Sequence, residues 1–186
     1  MPATLIVENG SNVAGANSYN SLVDIKTFAA NRGYDLSNFE SPTLIGFALL
    51  GMDYLESFRD QYKGIKTDAT QPLQWPRTVK PIVFSDWTQD PKIPSNVQID
   101  GFDIADDVIP QLIRDAQSQL VIEQAINKIK LFPSLATNRQ VKLKKIGPIT
   151  TEYFASDATP IMLNVEAFLS PLISQGSFAT LRTVRV

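Results

Sequence analysis

The chain contains no cysteine and no histidine. The first absence removes disulfides, thiolate nucleophiles and cysteine zinc sites. The second removes the commonest general base and the commonest transition-metal ligand. Carboxylate and lysine chemistry stay open, but the expectation of an enzyme falls well below that for an average soluble protein. No apolar run is long enough to cross a bilayer. The start, Met1-Pro2-Ala3-Thr4, lacks the basic region and apolar stretch of a signal peptide. A product that stays in the cytosol, or in a particle assembled there, is therefore expected. A basic excess is also missing: 17 lysines and arginines face 19 aspartates and glutamates, whereas duplex-binding proteins usually carry such an excess. There are only nine glycines, and no glycine-rich phosphate loop of either common kind occurs.

What is present suits one domain with extended arms. With 186 residues and 44% hydrophobic side chains, a sizeable core can be buried. Thr4 to Val7 reads as a short β-type run, broken by the turn residues Asn9-Gly10-Ser11-Asn12. Ser21, with Asp24 three residues on, has the spacing of a capping box. Leu22, Ile25, Phe28 and Ala29 then share one helical face, and Gly33 suits a left-handed cap. A second helix is predicted from Ser41 as N-cap and Pro42 as first residue, with Leu44, Ala48, Met52 and Leu55 as its stripe. It ends before Gly64. Gly46 and Gly51 inside it read as places where another backbone approaches.

From residue 65 to about 104 the periodicity dissolves, and prolines at 72, 76, 81, 91 and 94 forbid a long helix. Trp75, Phe84, Trp87 and Phe102 are the candidates to pin this loop to the core. The third helix follows, capped by Asp106 or Asp107, with Pro110 in its first turn. Ile109, Leu112, Ile113, Ala116 and Leu120 form its stripe, continued by Ile122, Ile126 and Ile129. So broad an apolar arc predicts a central helix. Alternation at Val141, Leu143, Ile149, Thr151 and Tyr153 around Gly147-Pro148 predicts a β-hairpin over 139–154. Lys145-Ile146 breaks the alternation and suggests a bulge or a longer loop. A short helix begins at Thr159-Pro160 or at Asn164 and runs through Phe168 and Leu169 towards Pro171. The predicted class is mainly α: a small bundle of about four helices with an inserted β-hairpin and extended arms. Residues 1–175 form the domain and 176–186 a terminal tail.

Chemistry-bearing patterns are few. Asp100, Asp103, Asp106 and Asp107 fail the EF-hand spacing and lack a closing glutamate, so capping outweighs calcium. Asp53 and Glu56 read as solvated charges on an exposed helix flank, not as an acid/base pair. No catalytic, metal or cofactor residue is assigned. The basic hairpin residues Arg139, Lys142, Lys144 and Lys145 have a bland reading, lysines that discourage edge pairing. Their functional reading is a subunit or lumen contact. Aromatic residues beside them, Tyr153 and Phe154 only, are too sparse for a stacking platform. The most distinctive segment is Gln71-Pro72-Leu73-Gln74-Trp75-Pro76-Arg77. It reads as a proline-stiffened loop anchored by Trp75, Pro76 and Arg77. The tryptophan buries apolar area, and the arginine caps a helix C-terminus or pairs with a carboxylate.

At this segment the sequence resembles a tailed-phage family. The resemblance rests on Leu5-Ile6-Val7-Glu8-Asn9-Gly10, Asn17-Ser18-Tyr19, Met52-Asp53-Tyr54-Leu55-Glu56, the 71–77 loop, Lys144-Lys145-Ile146-Gly147-Pro148-Ile149 and Glu152-Tyr153. It covers most of the chain in order, while residues 78–100 run longer than the family pattern. The family is labelled DnaT-like single-stranded-DNA-binding and is also similar to the head–tail connector adaptors of long-tailed phages. The resemblance implies a structural virion protein of the phage neck, with no catalytic residues. It implies a dodecameric ring under the portal protein, a downstream stopper or tail-completion protein as neighbour, and genomic DNA passing through the lumen without sequence-specific contact. No membrane is involved. In that setting the tail residues Leu181, Arg182, Val184 and Arg185 are expected to dock on the portal. The alternative is a replication accessory that binds single-stranded DNA.

Overall fold

The computed structural model describes residues 3–79, 96–132, 143–146, 149–152 and 162–174. Four α-helices dominate these residues: α1 (Leu22–Asn31), α2 (Ser41–Glu56), α3 (Gln111–Ala125) and α4 (Leu163–Leu169), the last running into a 3-10 turn at Ser170–Leu172. Three antiparallel strand pairs accompany them. β1 (Ile65–Lys66) pairs with β2 (Arg77–Thr78), β3 (Val97–Ile99) with β4 (Phe102–Ile104), and β5 (Leu143–Ile146) with β6 (Ile149–Glu152). The fold is mainly α with inserted hairpins.

Helix α1 starts where its capping box predicts. The Ser21 hydroxyl accepts the Asp24 N–H, and the Asp24 carboxylate accepts the Ser21 N–H. Ile25 and Ala29, one turn apart, are its buried residues. Helix α2 begins one residue earlier than the sequence suggests. Glu40 is its N-cap, Ser41 lies inside the helix, and no side chain caps it. Proline at the second helical position already fixes the backbone there, so the entry needs no hydroxyl cap. Leu44, Ala48, Gly51, Met52 and Leu55 form its buried stripe. A Cβ on Gly51 would lie 3.3 Å from Leu120 Cβ, so α3 does approach closely at this glycine; at Gly46 nothing lies within 4 Å, and the same expectation fails there.

Helix α3 packs against α1, α2 and α4. From Ala116 to Ala125 every residue is buried, including Gln117, Ser118, Gln119, Glu123 and Gln124. The predicted aspartate cap is corrected. Pro110 is the N-cap with no side-chain bond, and Asp106 and Asp107 lie in the preceding turn. The helix stops at Ala125 rather than continuing through Ile129, because Lys128 takes a left-handed φ of +54°. One cluster of the core gathers Trp75, Tyr19, Leu55, Tyr62, Ile113, Leu120 and Leu169; a second gathers Ile25, Leu36, Leu44, Val121 and Ile122 between α1, α2 and α3.

The 65–104 stretch is not patternless. Its described ends form β1–β2 and β3–β4, closed by local turns. Phe102 does not pin it to the core: the ring is 74% exposed. Phe84 and Trp87 lie outside the described residues. The β5–β6 register runs without a break from Leu143↔Glu152 to Ile146↔Ile149, so the bulge expected at Lys145-Ile146 is absent from these pairs. Thr4 to Val7 forms no strand, and only Val7 makes a bridge, to Ser18. The turn after it is held from inside. The fully buried Glu8 carboxylate accepts the N–H groups of Gly10, Asn12 and Val13 at 2.8, 3.1 and 2.9 Å. Gly10 sits at φ +106°, and a Cβ there would collide with the Asp107 carbonyl, so this turn rests directly on the approach to α3.

Candidate functional site

The 71–77 loop is held by a buried polar network. Tyr19 Oη accepts the Trp75 N–H at 3.0 Å and donates to Glu56 Oε1 at 3.4 Å. The same Glu56 oxygen accepts the Gln74 N–H at 3.0 Å. Gln71 Nε2 donates to the carbonyls of Leu73 and Pro76, closing the loop on itself. The Trp75 ring is fully buried and meets Tyr62 edge-on, with centroids 6.0 Å apart. The Trp75–Pro76 peptide is cis. Trp75 Nε1 has no hydrogen-bond partner among the described residues.

Among the described residues Arg77 neither caps a helix nor pairs with a carboxylate. Its Nε donates to the Lys63 carbonyl at 2.9 Å, Nη2 to the Gly64 carbonyl at 2.6 Å, and Nη1 to Gln74 Oε1 at 2.8 Å. The planar guanidinium thus binds the turn ahead of β1 to the loop, a geometry an ammonium cannot reproduce. All three guanidinium nitrogens are thus engaged in holding the loop.

Glu56 departs from its sequence reading. It is half-buried and accepts two hydrogen bonds, whereas Asp53 is exposed. Burial holds its carboxyl above the ordinary carboxylate value, against the lowering effect of the Gln74 bonds and Lys66. A carboxyl whose pKa is raised on folding binds its proton more tightly in the native state, so its contribution to stability is full at acid pH and lost as pH rises through the folded pKa. The Glu56→Gln variant keeps an acceptor oxygen without the charge. Its stability relative to the parent should therefore increase from pH 4 to pH 7. Parallel denaturant titrations at the two pH values check this, and a relative stability that falls over that range would refute it.

The acidic stretch supplies turns. Asp100 occupies the β3–β4 turn at φ +53°, and Asp103 Oδ1 accepts from Gln98 Nε2. No group of three or more potential metal ligands occurs among the described residues.

The basic candidates are placed only in part. Lys144 and Lys145 lie in β5, opposite Thr151 and Thr150. Arg139, Lys142 and the tail residues Leu181, Arg182, Val184 and Arg185 lie outside the described residues. Two further lysines, Lys128 and Lys130, are exposed in the segment that leaves α3. Counting charge along the chain explains how whole-chain neutrality concealed them. Residues 1–123 carry 9 basic and 16 acidic side chains, and residues 124–186 carry 8 and 3. Between Glu123 and Glu152 there is no acid at all, while Lys128, Lys130, Arg139, Lys142, Lys144 and Lys145 all fall there.

The sequence model of one family, described as "Putative DnaT-like ssDNA binding protein", matches residues 3–99 and 91–186. The chain belongs to this family. The two matched stretches overlap and between them take in both the 71–77 loop and the acid-free segment. The match supports the DnaT-like label; it does not extend to the head–tail connector identity. No curated protein and no solved structure matches the chain. No helix among the described residues is long and apolar enough to cross a membrane.

Proposed function

We propose that the chain is a non-enzymatic, DNA-contacting protein whose acid-free segment, 124–151, lies along the phosphates of single-stranded DNA. The observation that carries this reading is the run of six cations uninterrupted by any acid. Phosphate contact is the sequence-independent part of nucleic-acid affinity, and it depends on local rather than total charge. The DnaT-like family description agrees with it. The loop anchor at Trp75, Pro76 and Arg77 then serves as scaffold.

A second reading, the portal adaptor of a phage neck, is favoured by the opposite charges of the two parts of the chain. An acid-rich body and a basic C-terminal part suit head-to-tail contacts between copies, the kind that closes rings. In that reading the hairpin lines the lumen, the 176–186 tail docks on the portal, and the ring meets a stopper or tail-completion protein on its other side.

Oligonucleotide binding measured against salt separates the two. If all six cations engage a single strand, log affinity against log salt should fall with a slope of about −4. Replacing Lys142, Lys144 and Lys145 by glutamine should reduce that slope by about 2 while leaving the melting temperature unchanged. Absence of single-strand binding, together with rings that attach to portal in electron micrographs, would replace the first reading with the second.

A further inference from the structure

We infer that Tyr54, Phe58 and Phe132 form a stacking platform for the bases of a single strand whose phosphates lie along the acid-free segment. The inference rests on the single-strand reading and adds to it a base-contacting site. Tyr54 and Phe58 stand four residues apart on the end of α2 and the turn after it, with ring centroids 5.3 Å apart in an edge-on arrangement. Phe132 reaches Tyr54 from the segment that follows α3, with ring centroids 6.3 Å apart. The Tyr54 and Phe58 rings are partly buried against the core, which fixes them. Phe132 is 54% exposed, so the cluster ends in a ring that water covers on the outside. The position matters more than the exposure. Lys128 and Lys130 are exposed just ahead of Phe132, and the remaining cations of the segment follow it in the chain.

A single strand offers apolar base faces on one side and a regular line of charge on the other. A rigid aromatic step beside a basic track is complementary to both. Among the described residues the most exposed ring, Phe102, does not meet this condition: it sits between Asp100 and Asp103 in an acid-rich turn that would repel phosphate. Acids also occur near the platform, with Asp53 and Asp60 on the same stretch of chain and Glu166 facing Tyr54. They confine phosphates to the lysine side and leave the rings to the bases.

The test uses the full chain, a thymidine oligonucleotide, and a deoxyribose-phosphate strand of the same length without bases. In fluorescence polarisation, Phe132→Ala should weaken binding of the thymidine strand by about tenfold. Phe132→Trp should retain it, which separates stacking from any loss of folding. Neither change should alter the weaker binding of the abasic strand. If Phe132→Ala binds the thymidine strand as the parent does, while the triple lysine variant loses binding, the platform is wrong and the phosphate-track reading stands. If the parent binds neither strand, the single-strand reading falls and the platform falls with it.

Discussion

Replacing Trp75 by alanine should cost about 3–5 kcal/mol of stability, measured by denaturant unfolding at neutral pH. The side chain is fully buried and packs edge-on against Tyr62 within the larger core cluster. Its removal leaves a cavity bordered by the loop itself, and that loop is tied down by the Tyr19, Glu56 and Gln71 bonds, so it cannot collapse freely into the space. Trp75→Phe should cost clearly less. Phenylalanine keeps much of the ring and removes an indole N–H that has no partner among the described residues. Equal unfolding midpoints for Trp75→Ala and the parent would refute the anchor. Equal losses for the two variants would show that the indole N–H matters more than the packing argument allows.

The helices were legible because their signals are local. A capping box at Ser21 and Asp24, and a stripe from Leu44 to Leu55, depend only on neighbours in sequence. The aspartate cap predicted for α3 failed because acids before a helix are compatible with several turns, and here Asp106 and Asp107 lie within the turn at 105–108, ahead of the Pro110 N-cap. Phe102 was misplaced for a related reason. A large apolar residue in an irregular segment suggests burial only while the local register is unknown. In the β3–β4 hairpin Ile99 is buried while Phe102, directly across from it, is exposed, a difference that the sequence pattern does not carry.

The site was less legible. Glu56 looks like a solvated helix charge from its neighbours, since the group that engages it, the Gln74 N–H, lies 18 residues away in a loop. The role of Arg77 was open from sequence because its acceptors are main-chain carbonyls, which carry no sequence signature. Lys128 and Lys130 were within reach. Summing charge over windows rather than over the whole chain isolates the acid-free segment without any coordinates. Phe132 was not, because its partner ring, Tyr54, comes from α2, far away in the sequence.

The Gln117→Leu variant should lose about 1–3 kcal/mol, although it replaces one buried side chain by another of similar size. Gln117 is fully buried, and its Oε1 accepts the N–H groups of both Tyr19 and Asn20 at 3.0 Å, while Nε2 donates to Ser18 Oγ at 2.8 Å. One side chain of the central helix therefore satisfies two main-chain donors of the N-terminal segment. Leucine offers no acceptor. The buried Tyr19 N–H would then be left to find water or stay unpaired, at a cost of about 1–3 kcal/mol, whereas the Asn20 N–H keeps Ser18 Oγ as an acceptor at 3.2 Å. Asn20 can hold the segment in part, through Arg114 and Ser118, but those bonds come from its side chain and leave the Tyr19 amide unanswered. The loss should reach the loop as well, since Tyr19 is the acceptor for the Trp75 N–H. Tyrosine and tryptophan signals in near-ultraviolet circular dichroism should weaken together. Gln119→Leu is the control on the same helix. Gln119 is also buried, but among the described residues its side chain bonds only to Glu123, so its replacement strands no main-chain group there and should cost less. If the two leucine variants unfold at the same denaturant concentration, Gln117 is not the tie between the N-terminal segment and α3.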